Sequence, residues 1–180
     1  MSLFTHAEKK WKAEGGPLRI LAASGQLGYG VIEPSFRRGL ERDLHLIGAD
    51  MGSVDPGPYY LGAGVSFTSG EAVKRELQII LPEVVKAGIP FVIGSAGGAG
   101  ARPHVDWTLE ILKEVAREEG LAFPLAVIHA DMEKSAVQQA LEEDKIKPLG
   151  PAPTLTTQDV LNSVRIVAQM GVEPILDALD

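Results

Sequence analysis

Four short, mostly apolar runs constrain the fold of this chain most. Each run is followed by a polar or glycine-rich loop and then by a helical stretch. The runs are LRILAAS at 18–24, HLIGAD at 45–50, FVIG at 91–94 and LAVIHA at 125–130. Runs of this kind suit strands buried on both faces, and their alternation with helices is typical of a parallel sheet. We expect an α/β domain, Rossmann-like or flavodoxin-like, with three layers and a mainly parallel sheet of about four strands.

The composition fits one globular domain. The chain has 180 residues, of which 45% are hydrophobic and 23% charged, which suffices for one core. Residues 1–17 are polar and end in Gly-Gly-Pro, so they predict an N-terminal arm or a short helix. Residues 18–180 are expected to form a single α/β domain.

Charge and residue usage exclude several classes of function. A net charge of −7 disfavours nucleic acid and anionic membranes as partners, because both bind clustered Lys and Arg. The absence of Cys rules out a disulfide, a thiolate nucleophile and a thiolate metal site. We see neither the apolar core of a signal peptide nor a run near the roughly 20 residues that span a bilayer. These features predict a cytoplasmic protein.

Capping signals predict the helices of the first half. Pro34 suits the first position of a helix. Thr68 and Glu71 have the spacing of a capping box that would begin a second helix. Pro82 lies inside that helix and is expected to kink it.

Helix signals in the second half are similar. A helix is predicted from near Pro103 to Gly120, with glycine just past its end. Another is predicted from after Asp131 to about residue 143. Thr156 and Asp159 are expected to cap a helix that ends near Gly171.

Polar residues follow every predicted strand. Because the carboxyl ends of parallel strands meet at one edge of a sheet, these residues are expected to form one pocket. They are Ser24, Asp50, Asp55, Ser95, His104, His129 and Asp131.

The segment GSAGGAGA at 94–101 predicts a substrate-binding loop. Backbone N–H groups of Gly97, Gly98 and Gly100, together with the next helix N-terminus, can hold a phosphate or carboxylate, and Arg102 can add a bidentate contact. The alternative is a turn that needs glycine for positive φ. The loop lacks the Lys-Ser/Thr of a P-loop and the third glycine of a dinucleotide fingerprint, so no ATP or NAD motif is present and the cofactor stays unknown.

His104 and His129 are candidates for proton transfer, since histidine exchanges protons near neutral pH. The alternatives are helix capping for His104 and a satisfied core position for His129. Their spacing matches no metal motif, so a metal is neither supported nor excluded.

Acids in ADMGSVDPGPYY at 49–60 are candidate catalytic or orienting groups. Asp50 or Asp55 can orient a His or hold a substrate hydroxyl, with Ser53 and Tyr59 beside them. The alternative is plain turn chemistry in Asp-Pro-Gly-Pro. Ser24 and Gly25 open a further loop able to approach a ligand, and no serine has the G-x-S-x-G context of a nucleophile.

The segments LAASGQLGYG, IGADMGSVDPGPYYLGAG, FVIGSAGGAGARPHVDWTLEI and LAVIHADMEK together resemble the N-terminal part of the acyclic terpene utilisation family. The resemblance extends from about Leu18 to the end of the chain. It implies an enzyme or enzyme subunit in the catabolism of branched acids and acyl thioesters. Members of that family are usually longer, so the resemblance also implies a domain that another chain or domain completes.

Two functions are expected. The first is an enzyme or catalytic subunit that acts on a small carboxylate or acyl-thioester by hydration, dehydration or isomerisation. The second is a non-catalytic ligand-binding or assembly domain. Because about four strands leave sheet edges exposed, we expect a homo-oligomer or a complex with a C-terminal-domain subunit.

Overall fold

The sheet has three parallel strands in an open arrangement. A computed structural model describes residues 11–13, 15–52 and 57–179. Strands β1 (Ile20–Ala22), β2 (Leu46–Asp50) and β3 (Phe91–Gly94) pair in the order β1-β2-β3. The predicted α/β class and parallel sheet are confirmed, with three strands in the described residues instead of about four.

Seven α-helices follow the first strand in the described part of the chain. Their bounds are α1 (Glu33–Leu40), α2 (Tyr59–Ala63), α3 (Gly70–Ala87), α4 (Arg102–Glu118), α5 (Lys134–Glu142), α6 (Thr157–Asn162) and α7 (Glu173–Leu179). A 3₁₀ turn (Ala96–Gly98) precedes α4. Among the described residues we find no helix with the length and apolarity that crossing a bilayer requires.

The main core lies on one face of the sheet. Register aligns Leu21, Ile47 and Phe91 in one row across the strands, and all three belong to the core or pack against it. Sequential strand order with right-handed crossovers brings α1 and α3 to the same face. On the opposite face Ile20 is 57% exposed, so that face is covered less completely.

Helix α3 supplies the largest share of this core. Its buried apolar side chains are Val73, Leu77, Ile80, Leu81 and Val84. They recur at the three- and four-residue spacing that places them on one helix face. Helix α4 adds Ile111, Leu112 and Val115 to the same core.

The run at 125–130 was expected to be the fourth strand, and this prediction is wrong. Leu125 and Val127 are 48% and 41% exposed, and the run belongs to no strand. The chain instead forms an antiparallel bridge between Asp131 and Val167. Since a strand exists only where a neighbour supplies its hydrogen bonds, apolar sequence alone was insufficient.

The N-cap of helix α3 lies one residue later than predicted, at Ser69 instead of Thr68. Ser69 is the N-cap, and its Oγ accepts a hydrogen bond from the Ala72 N–H at 3.1 Å. The Thr68 N–H instead donates to Ser66 Oγ at 3.2 Å, so the predicted Thr68 capping box is wrong. The helix continues through Pro82 to Ala87, at the cost of the one backbone hydrogen bond that proline cannot donate.

The helices of the second half mostly follow their predictions. Gly120 has φ +62° just beyond α4, as expected for a helix end. The capping box of Thr156 and Asp159 is present. The helix it begins ends at Asn162 and not near Gly171, because Ser163 adopts extended φ/ψ angles of −61° and 135°.

Replacing Leu77, which is fully buried, with Ala should lower the free energy of unfolding by about 2–5 kcal/mol through lost burial and a residual cavity. Urea denaturation followed by circular dichroism measures this. Leu149→Ala is the matched control, since Leu149 is 88% exposed and should change stability by less than about 0.5 kcal/mol. Equal losses in the two variants would contradict the assigned core.

The pKa of Asp159 lies below its ordinary value because the Thr156 side chain and then the Thr156 backbone N–H bond its carboxylate. The cap therefore stabilises α6 above the unfolded-state pKa and is lost as pH falls through the folded-state pKa. NMR titration of the Asp159 carboxyl carbon should show the low value. Thr156→Val should raise it toward normal, and an ordinary value in the wild type would refute the cap.

Candidate functional site

The loops after the three strands are tied together at the carboxyl edge of the sheet. Asp50 and Gly94 are neighbours in register, and the Met51 N–H donates to the Gly94 carbonyl at 3.0 Å. The Leu27 N–H donates to the Asp50 carbonyl at 2.8 Å. The buried Gln26 side chain donates to the Met51 carbonyl at 3.1 Å. The loops after β1, β2 and β3 thus form one hydrogen-bonded layer.

Two exposed polar residues, Asp50 and Ser95, both lie against Gly52. Asp50 Oδ1 accepts a hydrogen bond from the Gly52 N–H at 2.9 Å. A Cβ on Gly52 would lie 2.5 Å from the Cβ of Ser95, so only glycine allows this approach. Ser24 Oγ, in the loop after β1, is buried with no hydrogen-bond partner among the described residues. Gly25, which follows it, is exposed.

Ser95 has an unusual backbone conformation. Its φ of +50° lies in the left-handed region, where a non-glycine residue is disfavoured by about 1–3 kcal/mol and often marks a functional site. Its carbonyl accepts a hydrogen bond from the Gly98 N–H at 2.9 Å. The strained residue is therefore held at the end of β3 by the turn that follows.

The loop glycines serve close packing. A Cβ on Gly97, which has φ +67°, would lie 2.5 Å from the His104 carbonyl oxygen. A Cβ on Gly98 would lie 3.0 Å from the Phe67 ring. At Gly100 a Cβ would lie 4.0 Å from both the Ser95 Cα and the Ala130 Cβ. Tight turning and packing account for glycine at these positions.

The N-terminus of α4 is capped by a carboxylate of the protein itself. The Asp131 carboxylate accepts a hydrogen bond from the Arg102 N–H, with oxygens at 2.9 and 3.2 Å. A negative charge at this end is favoured by the helix dipole. The Arg102 side chain is exposed. The end of the fourth apolar run is thereby held beside the glycine loop.

The two candidate histidines have different environments. His104 is 1% exposed, and its Nε2 lies 3.0 Å from the Tyr60 carbonyl oxygen. Since a carbonyl only accepts, Nε2 carries the proton in this hydrogen bond. His104 Nδ1 is buried with no partner in the described residues. His129 is exposed, so its alternative as a core side chain is wrong, and His104 is the buried one of the two candidates.

Aromatic side chains border the carboxyl edge. The Phe67 ring lies 6.1 Å from the Tyr29 ring and 5.6 Å from the Tyr60 ring, in edge contacts. Tyr59 contacts Tyr60 at 5.2 Å and is 70% exposed, as is Tyr29. Of these residues, sequence reasoning identified only Tyr59. Tyr29, Tyr60 and Phe67 lie in or beside predicted loops, and this grouping of aromatic residues was the signal that could have identified them.

Three further residues hold these loops and were missed. Gln26 bridges two loops as described above. Glu76, 4% exposed on α3, accepts a hydrogen bond from the Gly30 N–H at 2.7 Å. The Arg165 guanidinium donates to the carbonyls of Leu61 and Gly62 at the end of α2. The hydrogen bonds of Glu76 and Arg165 join residues that lie 46 and at least 103 positions apart in the sequence. No local motif could therefore have identified these two residues.

The remaining predicted features gain no support from the described residues. Ser53 and Asp55 lie outside the described residues. In the described ranges, no group of three or more His, Cys, Asp or Glu side chains is arranged to hold a metal ion. Two surface depressions of about 290 and 420 Å³ contain none of the predicted site residues.

Comparison of the chain with protein-family models, curated proteins and solved structures found no match. The resemblance to the acyclic terpene utilisation family therefore rests on the quoted loop segments.

Gly97→Ala should destabilise the protein by more than about 1 kcal/mol, since the new Cβ meets the His104 carbonyl and the residue needs positive φ. Gly25→Ala is a control in a neighbouring loop, because no atom lies within 4 Å of its Cβ position. It should change stability by less than about 0.5 kcal/mol. Chemical denaturation compares the two. Equal stabilities would show that the glycine loop is not packed on α4 as described.

Proposed function

We propose that this chain is the substrate-binding part of an enzyme that acts on a small carboxylate or acyl-thioester by proton transfer, as in hydration, dehydration or isomerisation. The observation that carries the proposal is the cluster at the carboxyl edge, where Gly52 lies against both Asp50 and a Ser95 held at φ +50°. The resemblance to the acyclic terpene utilisation family supports branched acids and their thioesters as substrates. We propose that this activity is cytoplasmic.

The side chains at the carboxyl edge of the sheet suit a ligand with a polar end. Asp50 uses Oδ1 for the Gly52 N–H, which leaves acceptor capacity for a substrate hydroxyl. Arg102 is exposed at the start of α4 and can pair with a carboxylate. The edge thus offers separate groups for a hydroxyl and for an acid.

The aromatic border suits the rest of such a ligand. Tyr29, Tyr60 and Phe67 form one connected group, and Gly98 packs under the Phe67 ring. Aromatic rings bury apolar groups well while tyrosine keeps its hydroxyl available. A branched hydrocarbon chain can therefore pack here while its polar end reaches the loops.

We assign the proton-transfer role to His129. It is exposed and precedes Ala130, which lies next to the glycine loop. His104, in contrast, is buried and uses Nε2 for the Tyr60 carbonyl, so we assign it to holding α2 in place. Asp50 orients the substrate hydroxyl. Each role follows from exposure and hydrogen-bond capacity.

A second candidate is a non-catalytic ligand-binding or assembly domain, completed by a second copy or by a C-terminal-domain subunit. One observation favours it: the Asp131 carboxylate already occupies the α4 N-terminus, where the sequence predicted a bound anion. In this case the loops serve shape and packing, and turnover is absent.

Calorimetric titration with a panel of small branched hydroxy acids and acyl thioesters tests binding. Asp50→Asn should weaken binding of hydroxylated ligands by roughly 10- to 100-fold, as expected when a charge-assisted hydrogen bond is lost. Asp43→Asn is the matched control, since Asp43 lies in the turn before β2, at the opposite edge. Equal binding by both variants, or none by the wild type, would refute this site.

Activity separates the two candidates. With a panel ligand that binds, deuterium incorporation or loss of water measures proton transfer. His129→Gln should then lower the rate by roughly 10²- to 10⁴-fold while binding persists. Binding without turnover in the wild type would instead support the second candidate.

A further inference from the structure

Helix α2 is attached to the domain without a share in its hydrophobic core. None of its five residues is buried, and Tyr59, Gly62 and Ala63 are exposed. Among the described residues, the core and the side chains that pack against it include none between 57 and 67. Segments with few buried apolar contacts open locally at a lower free energy than the core. Helix α2 can therefore leave its place without disturbing the core.

Polar contacts to its backbone hold the helix instead. His104 Nε2 donates to the Tyr60 carbonyl at 3.0 Å, and the Arg165 guanidinium donates to the carbonyls of Leu61 and Gly62. Each hydrogen bond of this kind makes only a modest net contribution to stability. A small number of such bonds can therefore break and form again as a group.

The two donors of these bonds are fixed to the rest of the domain. His104 is 1% exposed on α4, and α4 contributes to the core. Arg165 precedes Ile166, whose carbonyl accepts a hydrogen bond from the Met132 N–H at 2.9 Å. The neighbouring Asp131 is bonded to the start of α4. The donors therefore stay in place when α2 moves away from them.

Glycines flank the helix on both sides. Gly57 has φ +66° and Gly64 has φ +74°, conformations that cost glycine little. A Cβ on Gly64 would lie 2.9 Å from a guanidinium nitrogen of Arg165 and 3.2 Å from the Pro103 ring. Hinges are a few residues that absorb a change of backbone angles. Gly64 therefore combines freedom to rotate with room for the guanidinium.

The helix borders the aromatic rings of the candidate site. The Tyr60 ring contacts the Phe67 ring at 5.6 Å, and the Tyr29 ring of the first loop contacts Phe67 at 6.1 Å. The Gly98 backbone approaches the same ring. Of these three groups only Tyr60 belongs to α2. Movement of α2 would thus uncover the part of Phe67 that Tyr60 contacts, beside the glycine loop.

We propose that α2 is a lid that pivots about Gly57 and Gly64 and is latched by His104 and Arg165. When the lid is open, Phe67 can contact the apolar part of an entering ligand, and closure returns the Tyr60 ring to it. The opening follows from the contacts of α2 alone. Its role in admitting a ligand rests on the proposed function.

Amide hydrogen exchange of the full chain without ligand tests the opening. The Gly62 and Gly64 amides, which are bonded within this segment, should exchange at least roughly 100-fold faster than the Leu77 amide of α3. Their exchange should also depend little on urea, since the opening exposes little surface. Arg165→Gln should speed it by roughly a further 10- to 100-fold, because a charge-assisted hydrogen bond is lost.

Arg117→Gln is the matched control. The Arg117 Nε donates to the Lys113 carbonyl near the other end of α4 at 3.3 Å, so this variant should leave α2 exchange within about threefold. Arg165→Lys keeps the charge and should give a smaller acceleration than Arg165→Gln, and circular dichroism verifies the folding of each variant. Exchange of α2 at the Leu77 rate with the same urea dependence would overturn the lid. Unchanged α2 exchange in both Arg165 variants would overturn the latch.

A bound ligand separates the lid from the proposed function. A small branched hydroxy acid or acyl thioester that binds should, at saturation, slow exchange of the Gly62 and Gly64 amides by more than about tenfold, since it favours the closed lid. Binding that leaves this exchange unchanged would overturn the role of the lid. Absence of binding by every compound of the panel would refute the proposed function and that role together, while the opening measured without ligand would stand.

Discussion

Burial of the central strand against α3 and α4 is the interaction on which the rest of the structure depends. Ile47 in β2 is fully buried, as are Leu77 and Val115 of the two helices. Each such side chain contributes about 1.5–3 kcal/mol by leaving water. Ion pairs between Lys74 and the carboxylates of Glu114 and Glu118 link the same helices at the surface. Exposed pairs of this kind contribute little by comparison.

The carboxyl edge owes its shape to this packing. Because α3 and α4 are held against the sheet, Glu76 can reach the Gly30 N–H in the first loop, and the His104 carbonyl can approach Gly97. The loops thus pack against helices whose positions are fixed by the core. Groups placed on such supported loops can be oriented accurately, which binding and catalysis both require.

The sheet of the described residues ends after three strands. A three-stranded sheet has two edges, and the fourth apolar run contributes no strand to it. His129, the assigned proton-transfer group, lies in that run and is exposed.

The sequence alone predicted those features that neighbouring residues decide. The three strands, the bounds of α4 and the capping box of Thr156 and Asp159 arise from apolar runs, helical spacing and hydrogen bonds within a few positions. Local signals of this kind held where the packed chain offered no competing partner, and they failed for the Thr68 capping box and the fourth apolar run.

Only the tertiary structure decided the state of the fourth run and the burial of the two histidines. The use of Asp131 as the cap of α4 is a contact across 29 positions, and the strand state of LAVIHA depends on whether another strand lies beside it. Such outcomes follow from which distant segments meet. The residues themselves specify only what they can bond, and the packed chain decides which of those partners is within reach.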